Sequence, residues 1–204
     1  MDTAPESMPS ELQTQFSELW QEVAGVHMKW KSFLDLYAEQ ATIRLLNDTA
    51  PAFFRIFQDV LLDDVIMSIC RLTDPPRSGG NSNLTLRRLL DSIDSSVYPE
   101  LKKTATDRYL TLDGKVGFAR SHRNKRIAHS DLERRLRMPA TPLAPITQQQ
   151  VQSVLDSIAS FMNTIEGFFS RSETVYSYPI VKDDAETLLY WLRKGYETRM
   201  RRGD

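Results

Sequence analysis

Residues 147–169 read TQQQVQSVLDSIASFMNTIEGFF. Apolar side chains recur at Val151, Val154, Leu155, Ile158, Phe161, Met162, Ile165, Phe168 and Phe169. Steps of three and four residues are those of a helix that turns one stripe toward a core. Thr147 stands where a hydroxyl can cap the first turn. A heptad-like seam of this kind is first of all a core face, and it can also serve as the seam between two copies. No stretch of the chain alternates with period two, so the predicted fold class is all-α.

Working outward, residues 10–24 place Leu12, Phe16, Leu19, Trp20 and Val23 at helical spacing behind Ser10, which can cap. Gly25 is expected to interrupt, with a second helix from about Val26 to Leu46. Asn47-Asp48-Thr49 followed by Pro51 reads as a stop and a restart, because proline fits the first helical turn, where its missing N–H costs no hydrogen bond. The next helix, about 51–73, is apolar on most sides and is expected at the centre of a bundle. Asp64, Ser68 and Arg71 share a stripe on it and are expected to form a structural network, because buried charges need partners. Asp74-Pro75-Pro76 ends that helix, RSGGNSN is a loop, and Thr85 caps a short helix. Pro99 opens a long helix that runs toward residue 123. MPATPLAPI (138–146) holds three prolines and is an extended connector. YSYPIV is a link, and Asp183 or Asp184 caps a last helix ending in RMRRGD, a tail expected to be frayed and solvated. The expected organisation is a disordered N-terminus over 1–9, a helical bundle over 10–172, and a C-terminal link and helix over 173–204 packed on it.

Composition excludes several classes. The chain has 204 residues, 41% of them hydrophobic and 26% charged, a globular balance that suits one domain. Its net charge of −1 argues against phosphate contacts over the whole surface, so any such contact must be local. The single cysteine, Cys70, lies in an apolar run as a core residue and can make no internal disulfide. No Cys/His spacing suggests a metal, and no cofactor is expected. The start, MDTAPESMPSEL, lacks the apolar core of a signal peptide, and no stretch has the length of a membrane span. The expectation is a cytoplasmic protein. His27 reads as an ordinary packed or surface histidine, and Tyr176 and Tyr178 as packing residues.

One stretch stands apart. RNKRIAHSD (123–131) lies in a segment, Arg120 to Arg137, that carries Arg120, Arg123, Lys125, Arg126, Arg134, Arg135 and Arg137 against only Asp131 and Glu133. Cations complementing the negative end of a helix explain the charge, but not the Asn124 and His129 among them. Arg123 offers a forked donor for phosphate oxygens, Asn124 can donate or accept beside it, and His129 can exchange a proton near neutral pH. Those parts suffice to cleave RNA without a metal: a base takes the 2′-hydroxyl proton, arginine stabilises the developing charge, and an acid protonates the leaving 5′-oxygen. Six residues apart on a straight helix, Arg123 and His129 are about 120° apart. The helix must bend, Arg123 must reach around, or a second subunit must complete the site. His122, Arg126 and His129 do share a face.

Arginine, a polar residue and then a histidine with five residues between the arginine and the histidine, as in Arg123, Asn124 and His129, resembles the signature of the HEPN superfamily. The order ICRLTDPPR, loop, NLTLRRLL, then a long helix closing on RNKRIAHSD is similar to its abortive-infection subgroup, over roughly residues 30–170. The resemblance implies a HEPN-like bundle of long antiparallel helices that homodimerises with both motifs facing one cleft. It implies a metal-independent endoribonuclease, often a toxin or phage-defence effector and in some cases paired with an antitoxin protein. Arg123 and His129 would be the catalytic pair with Asn124 positioning. From the residues themselves, Arg120, His122, Lys125 and Arg126 are expected to contact RNA, with an acid as the alternative partner of Arg126. The superfamily also holds members without catalysis, which leaves a module binding RNA, nucleotide or protein as the alternative.

Overall fold

The structure is a computed structural model and describes residues 7–124, 144–177 and 184–202. Among the described residues there are eight helices: α1 Ser10–Tyr37, α2 Gln40–Thr49, α3 Pro51–Thr73, α4 Leu86–Asp91, α5 Pro99–Asp113, α6 Gly117–His122, α7 Gln148–Ser170 and α8 Ala185–Arg202. The protein is all-α, relieved by one short hairpin. β1 (Arg77–Ser78) pairs antiparallel with β2 (Asn81–Ser82) around Gly79 and Gly80, both at positive φ, as a tight two-residue hairpin turn requires. The loop expected there is therefore an ordered turn, and the Asn83 side chain closes it by donating to the Pro75 carbonyl at 3.1 Å.

α7 is the amphipathic helix its sequence predicts. Thr147 Oγ1 accepts from the Gln150 N–H while the Gln150 side chain accepts from the Thr147 N–H, a reciprocal cap. Val151, Val154, Leu155, Ile158, Phe161, Met162, Ile165 and Phe169 are buried, and only Phe168 of the predicted stripe is exposed. The seam is thus filled within one chain, packing against α5 and α1. Trp30 Nε1 donates to Gln152 Oε1 at 2.8 Å and fixes α1 against α7. Past α7, Arg171 takes a left-handed C-cap at φ 54. Asn163 then holds Thr174 through both backbone groups, and Trp20 Nε1 reaches Thr174 Oγ1 at 3.1 Å.

Gly25 does not interrupt α1, which runs unbroken to Tyr37. A helical glycine costs about 1 kcal/mol, and burial of Leu19, Val23, Val26 and Trp30 on either side offsets it. The real break falls at Ala38–Glu39. The helix opened by Pro99 is divided instead, with Gly114 capping α5 before α6 starts at Gly117.

α3 is central only in its second half. Val65, Ile66, Ile69, Cys70 and Leu72 are buried, but Phe53, Ile56, Phe57 and Val60 form an exposed apolar stripe. The expected network on α3 is split. Arg71 Nη2 donates to Ser68 Oγ at 2.9 Å, while Asp64 pairs across to Lys29 of α1 at 2.5 Å. Asp64 reaches outward because Lys29 offers a full charge there, and Arg71 is itself exposed. At the other end of the chain, Asp184 Oδ1 accepts from the Glu186 N–H and caps α8. The tail is helical through Arg202 rather than frayed.

Candidate functional site

The site is built where α3 ends. Pro75 disfavours helical backbone at the residue before it, so Asp74 leaves α3 in an extended conformation. α6 packs against this end of α3, and its last residues meet it. Arg123 Nη1 donates to both oxygens of the Asp74 carboxylate, at 2.8 and 2.6 Å. Its Nε donates to Asn124 Oδ1 at 3.2 Å. The hydrogen bond to Asp74 is the first cause of a guanidinium held even more firmly in its charged form than usual. Side-chain exposures of 22% for Arg123 and 27% for Asp74 place the pair half in and half out of water.

A second arginine grips the same corner. Arg120 Nη2 donates to the Thr73 carbonyl and to Asp113 Oδ1, each at 2.8 Å. Consecutive residues at the end of α3 therefore anchor two arginines three positions apart. His122 points inward: it is buried, with Nε2 at 3.5 Å from Asp63 Oδ1 of α3. Beneath the corner lies Cys70, whose thiol burial pushes up to about 11, against the pull of the surrounding arginines. That sulfur is a core atom, far from a thiolate at neutral pH.

The structure thus joins Arg123 and Asn124, and brings Arg120 to the same corner with its guanidinium engaged by α3 and Asp113. His122 is buried beside Asp63 of α3 instead. His129, Lys125 and Arg126 lie outside the described residues, as does the connector 138–146. The backbone at Arg123 and Asn124 is π-helical. Such a turn winds less per residue than an α-helix. Sequence reasoning missed the acids that meet these side chains: Asp74 for Arg123, Asp113 for Arg120 and Asp63 for His122. The available signal was Asp74 itself, held by two prolines directly after a helix that resembles a family element.

The HEPN_AbiU2 family model, described as AbiU2, matches residues 9–188. The chain belongs to this family. It is a HEPN-type abortive-infection protein, and the match extends from before α1 into α8. No curated protein and no solved structure matches it. In this HEPN_AbiU2 chain the described residues include no helix long and apolar enough to cross a membrane. Nor do they include a cluster of three His, Cys, Asp or Glu side chains placed to hold a metal ion.

Proposed function

We propose that the chain is a metal-independent endoribonuclease whose working groups are Arg123, Asn124 and His129. The observation that carries this reading is Arg123, charged and held in place by Asp74 and Asn124 beside the last turn of α6. An arginine that is already oriented loses little side-chain freedom on meeting a phosphate. In the proposed reaction His129 handles the proton. The 2′-oxygen of the RNA loses its proton and attacks the neighbouring phosphorus, the bond to the 5′-oxygen breaks, and that oxygen is protonated as it leaves. The products are a 2′,3′-cyclic phosphate and a 5′-hydroxyl. Arg123 stabilises the negative charge that grows on the phosphate oxygens. Arg120, His122, Lys125 and Arg126 are the proposed RNA-contacting residues, with Arg120 and His122 acting at least partly through the shape they give the corner.

The proposed setting is a cytoplasmic homodimer with the two motifs facing one cleft, serving as a toxin or phage-defence effector, with an antitoxin protein as a possible counterpart. The exposed stripe Phe53, Ile56, Phe57 and Val60 supports association, since its spacing presents one continuous apolar helix face. A second reading, a non-catalytic HEPN-like module binding RNA, nucleotide or a protein, draws on a different observation. Arg120 and Arg123 are each paired with a carboxylate, which reduces the local positive field. RNA cleavage by the purified protein in excess EDTA separates the two, alongside Arg123→Ala and His129→Ala. Cleavage lost in both variants, with size and helicity intact, supports the enzyme. An inert wild type, or three proteins that cut alike, favours the module.

A further inference from the structure

A cavity of about 470 Å³ opens between α1, α5, α7 and residues 173–177. None of Arg120, His122, Arg123 and Asn124 lines it; its wall includes His27, Arg108, Asp156, Ser160, Glu173 and Tyr176. Two of these, His27 and Tyr176, are core residues, and His27 has unmet chemistry. His27 is 4% exposed, and its Nε2 is buried without a hydrogen-bond partner. Tyr176 is equally buried, with its hydroxyl toward the Thr174 side chain. The two rings stack, with centroids 5.5 Å apart and planes at 28°. Native interiors rarely leave such an atom unpaired, and His27 Nε2 on the cavity wall points to an occupant of that cavity.

The chemistry of the wall selects the occupant. Burial pushes His27 down to about 4, against the opposing influence of Asp156 and of the Leu155 carbonyl, which receives a ring hydrogen bond. The ring is therefore neutral near pH 7. With one nitrogen donating to Leu155, Nε2 presents a lone pair. The Asp156 carboxylate is fixed nearby, because Gln152 Nε2 donates to it at 2.8 Å while Gln152 Oε1 is held by Trp30. Glu173 adds a second carboxylate, and Arg108 is the only cation among the described lining residues. Its described residues are rich in acceptors and net negative, so their complement is a compact molecule bearing N–H donors and positive charge.

We propose that this cavity binds a small organic cation of the amine or guanidine type, which donates N–H groups to His27 Nε2 and to Asp156. The volume is within the range of small-molecule sites. Nothing in the proposal depends on RNA cleavage, and none of its residues belongs to the proposed catalytic set.

The test uses the full chain and agmatine, which carries both cationic groups, read by calorimetry and by the imidazole ¹⁵N resonances of labelled histidine. Agmatine is expected to bind and to shift His27 Nε2, leaving His122 and His129 unmoved. Asp156→Asn removes a surface charge with little risk to folding and is expected to weaken binding about tenfold or more, the loss of one charged hydrogen bond. Glu173→Gln, also at the surface, is expected to weaken it less. Absence of heat and of any His27 shift at millimolar agmatine overturns the proposal in favour of a water-filled cavity. So does binding that Asp156→Asn leaves intact, and so does a His27 shift produced by adenosine monophosphate in preference to agmatine.

Discussion

Replacing Asp74 by asparagine keeps the shape of the carboxylate and removes its charge, which isolates the ion pair with Arg123. Exposed pairs contribute about 0.2–1 kcal/mol, whereas breaking a fully buried one costs about 3–5 kcal/mol. At 22% and 27% side-chain exposure, with both carboxylate oxygens on one nitrogen at 2.8 and 2.6 Å, this pair lies between those limits. A coupling free energy of about 1–2 kcal/mol is expected, consistent with hydrogen bonds between charged groups. The assay is a double-mutant cycle of wild type, Asp74→Asn, Arg123→Gln and the double variant, unfolded in urea at one fixed protein concentration. A fixed concentration matters because any self-association would enter the stability. The coupling should persist at 0.5 M salt, because partial burial limits screening. A coupling below about 0.5 kcal/mol, or one abolished by salt, would refute the idea that Asp74 holds Arg123 in place.

Three further outcomes follow from the same structure. His27 binds its proton at about 4 when folded and near 6.5 when unfolded, so its neutral burial adds stability that is complete above pH 6.5 and lost as pH falls toward 4. Across that window the wild type should lose up to about 3 kcal/mol more than His27→Leu, measured by urea unfolding at each pH; parallel curves contradict the burial of a neutral ring. Cys70, fully buried and with its thiol pushed up to about 11, should resist maleimide labelling at pH 7.5 in native protein and react once urea unfolds it. Rapid labelling of the folded chain would place the sulfur elsewhere. Phe161→Ala, at the fully buried centre of α7, should cost about 3–5 kcal/mol by the same unfolding assay, while Phe168→Ala on the exposed side should cost well under half of that.

Much of the architecture was legible because burial writes itself into spacing. The α7 stripe, the Thr147 and Thr85 caps and the proline start of α3 are local signals that the folded chain keeps. Gly25 misled because its propensity is a local cost and the packing that overrides it is tertiary. The composition of α3 likewise could not distinguish a helix buried on all sides from one with an exposed apolar face. Of the candidate site, Arg123 and Asn124 were legible as chemistry. Their partners were not, because Asp74 lies 49 positions away in sequence and only the packing of α6 on α3 brings it near. The same holds for His27 and Tyr176, ordinary residues in sequence that become distinctive only when two long helices and a loop close around them.

The three tryptophans form an optical series built into the fold. Trp30, 3% exposed and tied by its indole to Gln152, sits where α1 meets α7. Trp20, 38% exposed and bonded to Thr174, reports on the turn after α7, and Trp191, 66% exposed, reports on α8. Emission from this chain therefore combines a blue, dry fluorophore with a red, wet one. Loosening of the last helix would quench or shift the red component first, while the blue component would hold until the α1–α7 contact itself came apart.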